Sequence, residues 1–241
     1  MSKKYVFLFL AAFFAAAGIY GDDFPDWYIS LRDALYGQVL SSQDILGLYN
    51  IAQEQAKKDL TGADLSIMLS RSEYIMGRAL MYENKKSDAD PYFVRGMDYA
   101  QKSLDLKPSA EGWQMLAENI SQLCTIRPVP WVMANGLKVE QYSKNALKLD
   151  PGNTDAQYMI AARYVYAPAP FHDYNKGIKM MQDILNNYDN RLQKDDRFNV
   201  YSAIGYTFIQ QKKKSDARPW LQKALEVYPT NKFVGNLLAG L

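Results

Sequence analysis

The residues with the greatest chemical range in this chain are few: one histidine, His172, beside Asp173, and one cysteine, Cys124. A histidine and a carboxylate adjacent in sequence on a loop do not by themselves form an acid–base pair, because catalysis needs both groups aimed at one reacting atom. Asp173 is instead well placed to cap a helix running from Tyr174 to Asn187. With one His and one Cys, a zinc site of the usual ligand types would have to be built mostly from carboxylates, so no metal site is expected. The acidic pairs Asp22/Asp23, Asp88/Asp90 and Asp195/Asp196 lack the alternating ligands and glycine turn of a calcium loop and read as solvated loops. Gly77, Gly177 and Gly205 are isolated, so no phosphate-cradling loop is present and no cofactor is expected. Cys124 follows Ile120 and Leu123 in an apolar stretch, where a thiol behaves as a small buried hydrophobe. This pattern argues against an enzyme and for a molecule that works by binding.

Residues 1–21 carry Lys3 and Lys4, then an apolar run from Tyr5 to Ala17, then small residues. That order is the pattern of a secretory signal peptide, with cleavage expected after Gly18 or Gly21. The run is shorter than the roughly 20 residues that cross a bilayer, which favours cleavage over the rival reading of an N-terminal anchor. No cysteine follows it to accept a lipid, so the expected location is periplasmic or secreted, with no integral membrane segment left after cleavage. The chain's 28 basic residues, which include Lys3 and Lys4, nearly balance 26 acidic ones. Only Lys212-Lys213-Lys214 forms a basic run, so nucleic acid is not an expected partner.

Positioning depends on elements, and these are clearest at the C-terminus. Tyr201, Ile204, Gly205 and Phe208 fall on one helical stripe. A polar turn from Gln210 to Ser215 follows, then a second stripe of Ala217, Leu221 and Ala224, with Pro229 beyond its end. Pro219 is expected in the first turn of that second helix, after Ser215 as its N-cap. These residues resemble the tetratricopeptide repeat (TPR), in which small Gly205 and Ala217 would lie where two antiparallel helices cross and larger side chains fill the space around them. The endings Ser103 to Pro108 and Ala146 to Pro151 look like the closing halves of further units, and the longer interval from Pro151 to Pro229 has room for two units, one with a helix from Gly177 to Asn187. First helices are expected at Tyr74 to Leu80, Trp113 to Ile120 and Asp155 to Tyr166.

The resemblance thus implies an all-α solenoid of antiparallel helix pairs, about four TPR-like units over residues 65–241. Residues 22–64 read as two further helices, Trp27 to Tyr36 and Ser42 to Lys58, capping the array. Extra residues are expected between helices near Asn84 to Tyr92, Arg127 to Lys138 and Ala167 to Asp173. In such arrays insertions collect on one face. Trp131, Tyr166 and Phe171, carried on Pro-rich stretches, fit either a lip over a groove or aromatics tucked onto the solenoid.

First helices of such units line a concave groove, which implies Tyr74, Arg78, Gln114, Glu118, Tyr158, Ala162 and Tyr206 as partner-binding residues. The rival reading makes some of these tyrosines core between units. The function implied is a scaffold holding a protein or peptide partner. A second possibility is a carrier of a small hydrophobic ligand, since the pattern is loosely similar to the repeat components associated with TRAP-type transporters of spirochaetes. A carrier needs an enclosed apolar cavity, whereas a scaffold needs an open surface of mixed polarity.

Overall fold

The computed structural model describes residues 24–241, so the leader-like segment and Asp22/Asp23 lie outside the described residues. Helices follow one another as α1 (Asp26–Gly37), α2 (Ser42–Asp59), α3 (Gly62–Tyr82), α4 (Lys86–Leu106), α5 (Ala110–Ile126), α6 (Val129–Asn135), α7 (Leu137–Leu149), α8 (Thr154–Tyr166), α9 (Tyr174–Tyr188), α10 (Lys194–Gln210), α11 (Lys214–Val227) and α12 (Lys232–Ala239). Local signals set several starts. Ser41 and Asp44 form a reciprocal capping box on α2, and the side chains of Ser109, Asn153 and Asp173 each accept from the backbone N–H three residues onward at α5, α8 and α9. No described helix is long and apolar enough to cross a membrane.

Consecutive helices pack as antiparallel pairs, α3 with α4, α5 with α7, α8 with α9 and α10 with α11, and contacts also join α3 to α5, α5 to α8 and α8 to α10. Helices α3, α5, α8 and α10 thereby form an inner layer and their partners an outer one. Two of the pairs are near copies. Lys86-Ser87-Asp88-Ala89-Asp90-Pro91 opens α4 just as Lys214-Ser215-Asp216-Ala217-Arg218-Pro219 opens α11. Each is preceded by a left-handed residue, Asn84 (φ 58°) or Lys212 (φ 62°). At both turns a reverse bond closes the preceding helix, Lys85 N to Leu80 O (3.0 Å) and Lys213 N to Phe208 O (2.8 Å), satisfying carbonyls that the helix end leaves open.

Two expectations change accordingly. Asn84 to Tyr92 is no insertion: Pro91 lies inside α4, its ring displacing one helical hydrogen bond without ending the helix. Nor does Ser215 cap α11, which starts two residues earlier than that cap would allow, with Lys213 at its N-cap, and holds Pro219 in its interior. Arg127 to Lys138 does contain extra residues, folded as the short helix α6, and Ala167 to Asp173 remains a connection. Cys124 is half-buried rather than buried.

The helix crossings explain the small residues. A Cβ on Gly205 would stand 2.6 Å from Leu221 Cδ2, and one on Gly77 would stand 2.6 Å from the Phe93 ring. Gly205→Val should therefore destabilise by about 1–3 kcal/mol through overpacking, read as a lower thermal midpoint. A value within error of the natural chain would show that α10 and α11 do not cross closely there.

Residues 24–64 do more than cover an end. Helix α2 packs on α3, but α1 takes an inner position beside α3 and also reaches the other end of the array. Leu31 and Leu35 are fully buried, and Tyr36 stacks on Tyr228 (ring centroids 5.2 Å) and meets Phe198 edge-on (5.4 Å). Polar contacts reinforce this. Lys194 Nζ donates to Asp33 Oδ2 (2.7 Å), Tyr228 Oη to Asp33 Oδ1 (2.7 Å), and Asn231 Nδ2 to the Tyr36 carbonyl (2.7 Å). Burial would push the Asp33 carboxyl up, yet Arg32 and Lys194 together hold it below the usual carboxylate range. One core consequently runs from α1 to α3 at one end of the chain and to α10, α11 and α12 at the other.

Candidate binding site

The inner helices α1, α3, α5, α8 and α10 turn one side each toward a common axis. Arg71, Tyr74, Ile75 and Arg78 recur there at helical spacing on α3, as do Met115 and Glu118 on α5 and Asp155, Tyr158 and Met159 on α8. Most of them, with Tyr28, Tyr36, Asp195 and Asn199, enclose a cavity of about 30 Å³. Such a space has room for no more than a couple of water molecules.

The axis is crowded with acids. Gln114 Nε2 donates to Glu118 Oε1 (2.9 Å) and to Asp155 Oδ2 (2.5 Å), and Asn153 Nδ2 donates back to Gln114 Oε1 (3.1 Å). Thr154 Oγ1 donates to Asp196 Oδ2 (3.0 Å), which also accepts from the Gln193 backbone N–H (3.1 Å) at the start of α10. Glu118 is only 8 % exposed. Burial, then the charge of Asp155, pushes its carboxyl up to about 8, because both disfavour the ionised form. Burial likewise raises Asp195, and burial together with Asp155 raises Asp196 further. Among these carboxyls lies Arg71, whose guanidinium sits over the Phe24 ring (4.8 Å) and whose Nε has no hydrogen-bond partner.

Farther along the axis Arg78 is surrounded by phenols. Its Nη1 donates to Tyr36 Oη (3.0 Å) and its Nη2 to Tyr82 Oη (2.6 Å), and it lies 5.5 Å from the Tyr74 ring centroid, within range of a cation–π attraction. The structure thus brings Tyr74, Gln114, Glu118 and Tyr158 to one polar centre and Arg78 to its aromatic margin. Ala162 and Tyr206 pack instead with the second core of α8, α9 and α10. Tyr166 leans on Tyr206 (5.4 Å) with half its surface exposed, Phe171 is exposed, and Trp131 is half-buried beneath Arg127 (5.5 Å), which is itself paired with Asp90.

Sequence reading missed Tyr28, Tyr36, Arg71, Asp155, Asp195 and Asp196 as site residues. Arg71 was within reach, being one turn before Tyr74 on the same stripe. Asp195 and Asp196, read as a solvated loop, form the first turn of α10, and Asp196 is buried. His172 stacks on Tyr174 (4.3 Å) while Asp173 caps α9, so the two residues serve separate ends. Among the described residues no cluster of His, Cys, Asp and Glu is arranged to hold a metal.

The axis opens into a much larger mouth of about 750 Å³. It is formed where α1, α3, α5, α8 and α10 begin, and Phe24, Ile67, Lys107, Glu111, Asn153 and Gln193 are on its wall. Cationic Arg71, Lys107 and Arg191 face acidic Asp64, Glu111, Asp150, Asp155 and Asp196, with Arg191 paired to Asp150 (2.5 Å). Backbone N–H groups of the helix starts add positive potential to the same wall. The mouth is accordingly polar, of mixed sign, with apolar patches from Phe24, Leu60 and Ile67.

No protein-family model matches the chain, and no curated protein matches it by sequence. Among solved structures, the thermophilic TPR protein TTC0263 of Thermus thermophilus is similar over 83 % of this chain and 89 % of that one, at 14 % identity and a TM-score of 0.54. YrrB, described as a TPR protein with an unusual peptide-binding site, aligns over 87 % of this chain and 89 % of its own at 11 % identity and a TM-score of 0.39. The fold is that of a TPR-type helical solenoid.

Proposed function

We propose that this chain, with its TPR-type solenoid fold, is an exported, non-enzymatic interaction protein that takes a segment of a protein or peptide partner at the mouth where the inner helices begin. The observation that carries this reading is the contrast between the two spaces. The axis is closed down to about 30 Å³, whereas the mouth offers about 750 Å³ with charges of both signs and half-buried apolar residues on its wall. A space of that size and mixed polarity suits several side chains of a polypeptide. It replaces the long open groove as the place of binding, because α1 occupies the inner layer next to both α3 and α10.

A hydrophobic-ligand carrier of the TRAP-associated kind gains less support. Its ligand needs an enclosed apolar chamber, and the enclosed space here is small and lined by Glu118, Asp155 and Asp195. Export rests on the composition of residues 1–21. Intact mass of the chain recovered from the periplasm or medium tests it, with removal through Gly18 or Gly21 expected.

Native mass spectrometry of the chain purified gently from its own extract separates the two functions. A co-purifying polypeptide that is lost on Lys107→Glu is the expected result, since Lys107 is exposed on the wall of the mouth. A co-purifying small apolar molecule would overturn the proposal in favour of the carrier.

A further inference from the structure

The opposite end of the solenoid carries a second feature, independent of the mouth. Helix α6 has no buried residue. Val129, Met133 and Leu137 recur every fourth residue and are 70 %, 78 % and 74 % exposed. Val129 and Met133 lie about 6 Å apart along α6, and Leu137 extends this apolar ridge at the start of α7. A neighbouring connection, 167–173, leaves from the same end of the adjacent inner helix and presents Phe171, 66 % exposed, with Tyr166 behind it. An ion pair between Arg163 of α8 and Glu140 of α7 joins the two helices that adjoin these protrusions.

The stretch that carries the ridge is itself cationic. Residues 127–138 contain Arg127 and Lys138 and no acid. Lys176 lies over the Tyr164 ring (4.1 Å), and the Lys212–Lys213 turn is joined to the start of α9 by a hydrogen bond from Gln211 Nε2 to Asn175 Oδ1 (2.9 Å). The acids near the two protrusions are already engaged. Asp90 holds Arg127, Glu140 holds Lys144 and Arg163, and Asp173 caps α9. What projects is thus a set of aliphatic and aromatic side chains with lysines beside it, Lys138 donating to Asn135 and Lys176 to Tyr164, and with Asp216 as the exposed acid next to Lys212 and Lys213. A partner's helix would seek a groove here, and α6 offers a ridge. A short apolar ridge with Phe171 and several lysines on neighbouring segments matches the interfacial layer of an anionic bilayer.

We propose that this end of the molecule docks peripherally on an anionic lipid surface, with Val129, Met133, Leu137 and Phe171 entering the interface and Lys138, Lys176, Lys212 and Lys213 facing the headgroups. The mouth, at the other end of the inner helices, then faces away from the membrane.

Co-sedimentation of residues 22–241, which contain the entire described core, with vesicles of phosphatidylcholine alone or with added phosphatidylglycerol tests this. Binding should be seen with the anionic vesicles and weaken about tenfold or more in Met133→Ser/Leu137→Ser, because apolar area drives interfacial insertion. Lys212→Glu/Lys213→Glu should remove the preference for phosphatidylglycerol. Both variants change exposed side chains, so an unchanged thermal midpoint certifies the fold. No sedimentation with anionic vesicles, or sedimentation unaffected by both variants, overturns the proposal. So would a photo-crosslinker at position 133 that captures only protein in the presence of these vesicles.

Discussion

Tyr36→Ala is expected to cost about 3–5 kcal/mol of stability, the range for deleting a buried aromatic side chain. At roughly 2–4 °C per kcal/mol for a chain of this size, the thermal midpoint should fall by about 10 °C. The reason is that Tyr36 joins the two ends of the sequence. Its ring is packed between Phe198 and Tyr228, and its hydroxyl accepts from Arg78 Nη1 and Asn199 Nδ2, both at 3.0 Å. Truncation leaves a cavity and also strips two donors of a partner. Tyr36→Phe keeps the ring and should lose only about 1–2 kcal/mol. If Tyr36→Ala unfolds within a degree or two of the natural chain, α1 does not close the inner layer against α10 and α11.

The second large effect concerns pH. Glu118 is held at about 8 in the folded chain against an ordinary value of 4.5. Between those two values the folded state binds more protons than the unfolded one, so stability falls as pH rises from about 4.5 through 8. Asp195 and Asp196, also raised, act in the same direction. Asp33 and Asp150, lowered by their cationic partners, act oppositely, and their contribution is lost only at more acidic pH. Glu118→Gln keeps a hydrogen-bonding side chain and cannot ionise. It should match the natural chain near pH 5 and exceed it at pH 8 by about 2–4 kcal/mol, a shift of several degrees in midpoint. Parallel pH profiles for the two chains would mean that Glu118 is ionised in the folded protein without penalty.

How far these features were legible from sequence depends on the range of the interactions that make them. Gly205 with Leu221, and Ala217 at the start of α11, lie in one helical hairpin, so their spacing alone exposes the TPR-like unit. The equivalent hairpin of α3 and α4 opens its second helix with the same Lys-Ser-Asp-Ala-x-Pro run, although extra residues are expected there from Asn84 to Tyr92. A proline inside a helix is tolerated when the tertiary packing of buried Phe93 and Ala89 outweighs one missing hydrogen bond. The place of α1 had no local signal at all. It is set by pairs such as Asp33 with Lys194 and Tyr36 with Asn199, far apart in the chain and visible only once the solenoid has curled. The inner position of Tyr74, Glu118 and Tyr158 is what the resemblance to TPR units implies for their first helices. Asp195, by contrast, looks like half of a solvated acidic pair until α10 is seen to begin at Lys194 and turn it toward the axis.

Site-specific photo-crosslinking in the native extract tests the central claim most directly. A crosslinker at Glu111, exposed on the mouth, should capture one defined polypeptide, while the same probe at Glu226 on the outer helix α11 captures none. Capture at Glu226 but not at Glu111, or capture of a small apolar molecule at Glu111, would contradict binding of a polypeptide segment at the mouth.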